Sequence, residues 1–398
     1  MSASTATNTP ATTARSTTTT TTTATFRPFA LEEWQSRYEQ EVRWNIADSG
    51  VQPVILSELL GNDPETLARL LAMDLHYPPV NGRPLLRERI AALYPGIAPD
   101  QVLVTVGAAE ANGIATTTLT QPGDHVVVLE PGYRQVAGVA ANHGCVVDAF
   151  HLVEERGWRP DLAELASVVR PDTRLIAVSN PNNPTGTILT PEEITEIIRI
   201  AASVGAWVLA DEVYRGTEVD TDEETPSFAG QYDRLVLTNS LSKAYGLSGL
   251  RVGWTISDAE TMQAMWRRHE YATIATSNVS MALAELAVEP GIRGRLFARN
   301  RALIREGLAR LNAWVESTEG LVTLTPPHAT ALAFIRYSLH RDMPSLAVAH
   351  ELRKDGVLVG VGADFGEEYH LRVTHGLSAT IMDAALAQMT ATFTRLAG

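Results

Sequence analysis

Continuous apolar runs of strand length recur through the middle of the chain, and they constrain the fold more than any other feature. They are Val102-Leu103-Val104-Thr105-Val106, Val126-Val127-Val128-Leu129, Arg174-Leu175-Ile176-Ala177-Val178, Trp207-Val208-Leu209-Ala210 and Leu235-Val236-Leu237. A strand with one face in water alternates apolar and polar residues, whereas a strand covered on both faces reads as an unbroken β-branched or aliphatic run. Helical patterns such as Glu192 to Ser203 separate the runs. The expectation is an α/β fold, with a mostly parallel central sheet flanked by helices. From about Gly294 the rhythm changes to a long helix over Leu296 to Asn312, short strands and a final helix over Thr380 to Leu396, which predicts a smaller α+β domain. The expected division is an arm with part of the small domain over 26–70, a large ligand-binding domain over 71–293 and a small C-terminal domain over 294–398.

The chain has 398 residues and a formal net charge of −14, so an acidic surface argues against nucleic acid or anionic lipid as partner. A small molecule is the expected ligand. One cysteine, Cys145, excludes an intrachain disulfide and a Cys-based zinc cluster, so no metal is expected and a cytoplasmic setting is. Cys145 itself reads as a buried small apolar residue. No apolar run approaches the ~18–20 residues of a membrane span, and no basic-then-apolar signal peptide is expected. Residues 1–25 are dominated by Thr, including Thr17 to Thr23, and read as a disordered tail.

Only Lys243 and Lys354 are lysines among 32 basic residues. Arginine stays protonated at any working pH and forms no imine, so a lysine retained in so arginine-rich a chain is a candidate for nucleophilic or proton-transfer chemistry. Lys243 lies in Ser240-Leu241-Ser242-Lys243-Ala244-Tyr245-Gly246-Leu247-Ser248-Gly249-Leu250-Arg251, just after the run at Leu235. Pro181-Asn182-Asn183-Pro184-Thr185-Gly186 and Asp211-Glu212-Val213-Tyr214 follow two other runs. Carboxyl ends of strands are where open α/β sheets bind ligands, so an amide, a carboxylate and the rare lysine are expected in one crevice. Val106-Gly107-Ala108-Ala109-Glu110 reads as strand, glycine turn and helix start, which directs free N–H groups at an anion.

Taken in order, Asn183-Pro184-Thr185-Gly186, Asp211-x-x-Tyr214, Ser240-x-Ser242-Lys243, Arg251 and Arg372 in Leu371-Arg372-Val373 resemble the fold type I pyridoxal-phosphate enzymes, the class I and II aminotransferases, across roughly Phe29 to Leu396. The resemblance implies pyridoxal 5'-phosphate as cofactor, held by Lys243 as an imine. It implies Asp211, rather than the adjacent Glu212, beside the pyridine nitrogen, with Asn183 and Tyr214 on the ring oxygen. Ser240, Ser242, Arg251 and the Gly107, Ala108 and Ala109 turn would take the phosphate, and Tyr133 the ring face. Arg372 would clamp the substrate carboxylate, with Asn183 and Gly50 of Asp48-Ser49-Gly50-Val51 on the substrate side. Tyr77 would reach the phosphate of a neighbouring subunit, which implies a homodimer. His328 reads as a structural histidine, and His269, Tyr271 and Asn278 lie in the region of the rim without an assigned role.

The activity implied is that of an enzyme acting on an L-amino acid, most simply an aminotransferase. An alternative keeps the cofactor and ends in cyclisation, elimination or replacement, S-adenosylmethionine being one substrate that could lose a group. The arm, with Leu31-Glu32-Glu33-Trp34 and Ser57-Glu58-Leu59, is similar to the branch of the family containing capreomycidine synthase. A regulator that binds the cofactor without catalysis is disfavoured, because no DNA-binding helix-turn-helix precedes the fold.

Overall fold

The structure, a computed structural model, describes residues 26–61 and 63–397, so the Thr-rich segment lies outside the described residues. After a short strand β1 (Trp44–Asn45), eight strands build the main sheet. They are β2 (Val102–Thr105), β3 (His125–Glu130), β4 (Val146–Val153), β5 (Arg159–Pro160), β6 (Thr173–Ser179), β7 (Trp207–Asp211), β8 (Leu235–Ser240) and β9 (Gly253–Ile256). Their order is β2-β9-β8-β7-β6-β3-β4-β5. Neighbours from β8 through β4 run parallel, while β9 and β5 are antiparallel to theirs. The fold is the expected α/β arrangement.

Side-chain alternation explains why the central runs are continuously apolar. Val126, Val128, Leu175, Ala177, Leu209 and Val236 pack on one face with Ile114, Ala115, Met262 and Met265 from helices Gly107–Leu119 and Ala259–Ala272. Val127, Leu129, Ile176, Val178, Val208 and Ala210 face the other way, onto Ile194, Ile197 and Ile200 of helix Pro191–Val204. That helix starts at a capping box, in which Thr190 Oγ1 accepts from the Glu193 N–H and the Glu193 carboxylate accepts from the Thr190 N–H, and it stops at Gly205 with φ +68°. Sheet register then aligns the chemistry, because Ser179 pairs with Asp211 and Asp211 with Thr238.

The C-terminal part carries a four-stranded antiparallel sheet of β10 (Val322–Leu324), β11 (Leu332–Tyr337), β13 (Gly360–Val361) and β14 (His370–Thr374), while β12 (Val357–Leu358) pairs in parallel with β1. Through this pairing the arm joins the C-terminal core, and Trp34, Ile46 and Ala47 pack with Ile335, Val348, Val373 and Phe393. The long helix spans Pro290–Ser317, beginning before the expected Leu296, because Glu289 caps it and Pro290 fits its first turn. Cys145 is a correction: it is half-buried in the loop before β4 instead of buried. No helix among the described residues is long and apolar enough to cross a membrane.

Candidate active site

The site is built at the carboxyl ends of β6, β7 and β8. Asp211 closes β7, and its Oδ2 accepts from Asn112 Nδ2 at 2.8 Å while Oδ1 accepts from the Val213 N–H at 3.2 Å. Burial raises its pKa, and those hydrogen bonds and nearby Lys243 oppose the rise. Asn112 is held in turn, its Oδ1 accepting from Thr238 Oγ1 at 2.7 Å. Sequence reasoning missed Asn112; the one signal was a lone amide in the Ala, Gly, Ile and Thr stretch after Gly107. Glu212, one residue along the chain, turns away from the cavity. Its carboxylate accepts from Ser227 Oγ and the Phe228 N–H, and burial pushes its pKa up to about 7.

Lys243 lies in the turn beyond β8 and donates from Nζ to Ser49 Oγ at 2.5 Å. Burial lowers its pKa. The same turn returns Arg251, whose Nη1 donates to Ser242 Oγ at 3.3 Å and to the Ser248 carbonyl at 3.0 Å. Gly107, at φ +73°, begins helix Gly107–Leu119 beneath that guanidinium. A Cβ there would stand 2.5 Å from Arg251 Nη2, so the absent side chain is what lets the cation lie against the helix N-terminus.

Arg372 projects from the middle of β14 and is 1% exposed. Its Nη1 donates to Asn183 Oδ1 at 3.1 Å and its Nη2 to the Ala47 carbonyl at 2.5 Å, while Nε is buried without a partner. With Oδ1 occupied, Asn183 keeps its NH₂ as a donor. The Tyr214 hydroxyl donates to the Ser49 carbonyl at 3.1 Å, and burial raises its pKa, so it remains a neutral donor.

These groups meet in a cavity of about 440 Å³ whose walls include Ala108, Ala109, Tyr133, Asn183, Asp211, Tyr214, Ser240, Ser242, Lys243 and Arg251. Gly107, Gly50 and Arg372 stand immediately behind that lining, the last through its bond to Asn183. Tyr77 is not brought into it; it is 76% exposed. His328 does not line the cavity; it is exposed and its Nδ1 pairs with Asp220 at 2.9 Å. His269 is buried against the Glu110 carboxylate at 2.9 Å, Tyr271 is exposed, and Asn278 accepts from Arg83 at 3.0 Å.

The donor set suits an anionic cofactor. Among the described residues, Lys243, Arg251 and Arg372 have no carboxylate within salt-bridge distance, although the chain is acidic overall. Arg372 is buried and Lys243 largely so, and such cations without counter-charge are costly unless an anion arrives, whereas Arg251 is exposed at the rim of the same site. Helix N-terminal amides, two serine hydroxyls and Arg251 can hold a phosphate, and Lys243 and Asp211 lie on the same cavity.

A doubly covered parallel sheet of this order, with an amine, a carboxylate and an anion cradle at its strand ends, defines a fold type I pyridoxal-phosphate enzyme. The family model for aminotransferase class I and II matches residues 65–389, and the chain belongs to that family. Its cofactor is pyridoxal 5'-phosphate. Capreomycidine synthase from Streptomyces vinaceus is 31% identical over 364 residues, covering 90% of this chain and 91% of that protein. A crystal structure of a PLP-dependent aminotransferase from Streptococcus suis superposes with a TM-score of 0.87 at 31% identity, covering 94% of this chain and 99% of the other. The PLP-dependent cyclase OrfR superposes with a TM-score of 0.84 at 28% identity, covering 95% and 100%.

Proposed function

We propose that the enzyme takes an L-amino acid with a cationic side chain, removes its Cα proton with Lys243 and transaminates it. The polarity of the cavity carries the choice of a cationic side chain, and membership of the class I and II aminotransferases supports transamination. Its inner side has the unpaired cations Lys243 and Arg251, with Arg372 behind, while the arm contributes Glu32, Glu39 and Asp48, none with a cationic partner within salt-bridge distance among the described residues. An amino acid binding by its carboxylate at Arg372 would present its side chain to that acidic wall. A cation there gains charge-assisted hydrogen bonds that a neutral side chain lacks.

When bound, pyridoxal phosphate supplies an electron sink that makes the substrate Cα proton removable. In this reading Lys243 would anchor the cofactor through its ε-amine and, as a free amine, would carry the proton from the substrate Cα. Asp211, oriented by Asn112, would keep the pyridine nitrogen protonated, Asn183 would donate to the ring oxygen, and the single Tyr214 O–H would join it by turning from the Ser49 carbonyl. The Gly107, Ala108 and Ala109 amides, Ser240, Ser242 and Arg251 hold the phosphate. Tyr133 covers the ring face, its hydroxyl fixed on Glu32 at 2.7 Å. Gly50 belongs to the loop on the substrate side, its N–H donating to Asp48 Oδ1 at 3.0 Å. Tyr77 serves the partner's phosphate in a homodimer, a role in keeping with its exposure beside the exposed Leu71 and Leu75. The domain division at 26–70, 71–293 and 294–398 and a cytoplasmic setting belong to the same reading.

A second reading, cyclisation or elimination in place of transamination, is favoured by the likeness to capreomycidine synthase over nine-tenths of the chain. One experiment addresses both: incubate the PLP-loaded enzyme with arginine, lysine and ornithine, and with citrulline and norleucine as neutral analogues, following absorbance and products by mass spectrometry. Cationic substrates should bind at least ~10-fold more tightly, the value of one charged hydrogen bond. Equal handling of arginine and citrulline would refute the substrate class. A keto acid with the cofactor left in its amine form identifies transamination; a cyclised or eliminated product with the cofactor restored identifies the second reading.

A further inference from the structure

Ser49 touches two of the groups assigned to the reaction, and neither the family motifs nor the roles above use it. Its hydroxyl oxygen accepts from Lys243 Nζ at 2.5 Å, and its carbonyl accepts from the Tyr214 hydroxyl at 3.1 Å. The loop that carries it is fixed on every side. Asp48 Oδ1 accepts from the Gly50 N–H at 3.0 Å, the Gly50 carbonyl accepts from Thr374 Oγ1 at 3.0 Å, and the Gln52 N–H donates to the Gly376 carbonyl at 2.7 Å. On the lysine side the Val54 N–H donates to the Gly246 carbonyl at 3.0 Å, so the loop is tied to the turn that bears Lys243. The backbone that carries the serine is therefore held by contacts that do not depend on the lysine, and Lys243 is the one hydrogen-bond partner of its hydroxyl among the described residues.

We propose that Ser49 is the positioning residue for Lys243, its hydroxyl being the seat of the ε-amine whenever that amine is free of the cofactor. The inference rests on the pyridoxal-phosphate reading of the site but on no choice of substrate. Each time a substrate amino group displaces the lysine, the amine is released into the cavity and must stay close to Cα and in a defined protonation state. A freely rotating lysine loses several rotamers to do so, and a short hydroxyl on a fixed backbone, with far fewer rotamers of its own, reduces that disorder beforehand. The amine's other neighbours are charged and of both signs. Asp48 and Glu32 favour its ammonium form, Arg372 and Arg251 oppose it, and Asp211 lies within electrostatic range on β7. The Ser49 oxygen is the one group hydrogen-bonded to Nζ among the described residues, and by accepting N–H it favours the ammonium.

The two lysines of the chain make the test direct. Cofactor-free enzyme is acetylated with trace acetic anhydride across a pH series, and mass spectrometry compares Lys243 with Lys354, an exposed internal reference. Ser49→Ala should lower the Lys243 labelling midpoint by about one pH unit, a tenfold change in the amine's proton affinity or ~1.4 kcal/mol. Ser49→Thr, which keeps the hydroxyl, should restore it. If Ser49→Ala does not fold, Ser49→Cys replaces it, since a thiol is a weak acceptor. In the loaded enzyme, Ser49→Ala should also enlarge the kinetic isotope effect of a Cα-deuterated amino acid, because proton transfer slows relative to binding. An unchanged midpoint in Ser49→Ala, or a lowered midpoint in Ser49→Thr equal to that of alanine, would overturn the proposal. Because the labelling uses neither cofactor nor substrate, its outcome is independent of whether the amino-acid panel supports the substrate class.

Discussion

Replacing Arg372 with lysine asks whether the buried guanidinium is held for a carboxylate. Arg372 is almost wholly enclosed, yet among the described residues no acidic group pairs with it and its Nε has no partner. Two of its nitrogens are already engaged by Asn183 and the Ala47 carbonyl, which fix the plane of the guanidinium. A carboxylate arriving in that plane gains parallel charged hydrogen bonds that an ammonium, a point charge on a flexible stem, cannot reproduce. Arg372→Lys keeps the charge and loses one such bond, about 2 kcal/mol or ~30-fold in amino-acid affinity. It also leaves Asn183 Oδ1 or the Ala47 carbonyl without its donor, so a modest fall in thermal stability should accompany the change. Stopped-flow absorbance gives the amino-acid dissociation constant, and the phosphopyridoxyl content after borohydride reduction gives cofactor occupancy. Occupancy should hold, because the proposed phosphate anchors are Arg251, Ser240, Ser242 and the Gly107 turn. Unchanged amino-acid affinity, or loss of cofactor with affinity retained, would refute the carboxylate assignment.

Lys243→Ala should end covalent attachment of the cofactor, and peptide mapping of the reduced wild type should find the label on Lys243; a label on Lys354 would reassign the anchor. Asp211→Ala should bind the cofactor yet lose on the order of 100-fold in turnover, and Asn112→Ala a smaller part of it by loosening the 2.8 Å bond to Asp211; full activity in Asp211→Ala alongside an inactive Glu212→Gln would reverse the assignment of the two carboxylates. Glu212 should instead report in stability. Its folded pKa of about 7 exceeds the model-compound value of 4.5, so the folded state binds the extra proton between those limits and wild type should lose stability relative to Glu212→Gln as pH rises from 4.5 to 7. Melting curves of both proteins across that window measure it, and the difference cancels the opposite contribution of His375, whose pKa burial lowers to about 4.

The parts of the fold that were legible are those in which both sides of a strand demand the same chemistry. Val126 to Leu129 and Leu175 to Val178 are covered by helices on both faces, so their sequences leave no second interpretation. β4 escaped because it pairs with only the short β5 on its outer side and mixes Asp148 and His151 among its apolar residues. β9 escaped because four residues beginning with glycine and running antiparallel carry no run of their own; Gly253 is there because a Cβ would lie 2.4 Å from the Gly107 carbonyl carbon.

In the site, legibility followed how directly a residue's type is tied to chemistry. Lys243 stood out because lysine is so rare here, and Asp211 because strand ends are where ligands sit. Asn112 acts through Asp211, and an asparagine inside a helix carries no mark of what it orients. Glu32, Gln35 and Glu39 share one side of helix Ala30–Tyr38 and its cap while Leu31 and Trp34 are buried, so in sequence they are the solvated face of an ordinary amphipathic helix. Only the direction in which the arm docks, set by β1 on β12 and by the Trp34 indole donating to the Val359 carbonyl at 2.9 Å, turns that polar face onto the cavity. The cofactor chemistry is therefore written in residue types at strand ends, while the selection of a substrate is written in tertiary docking. Relatives that share the first can diverge in the second, and exchanging Glu39, which lines the cavity without touching Tyr133, Ser49 or Lys243, for Gln should change which amino acids bind without changing how the cofactor is held.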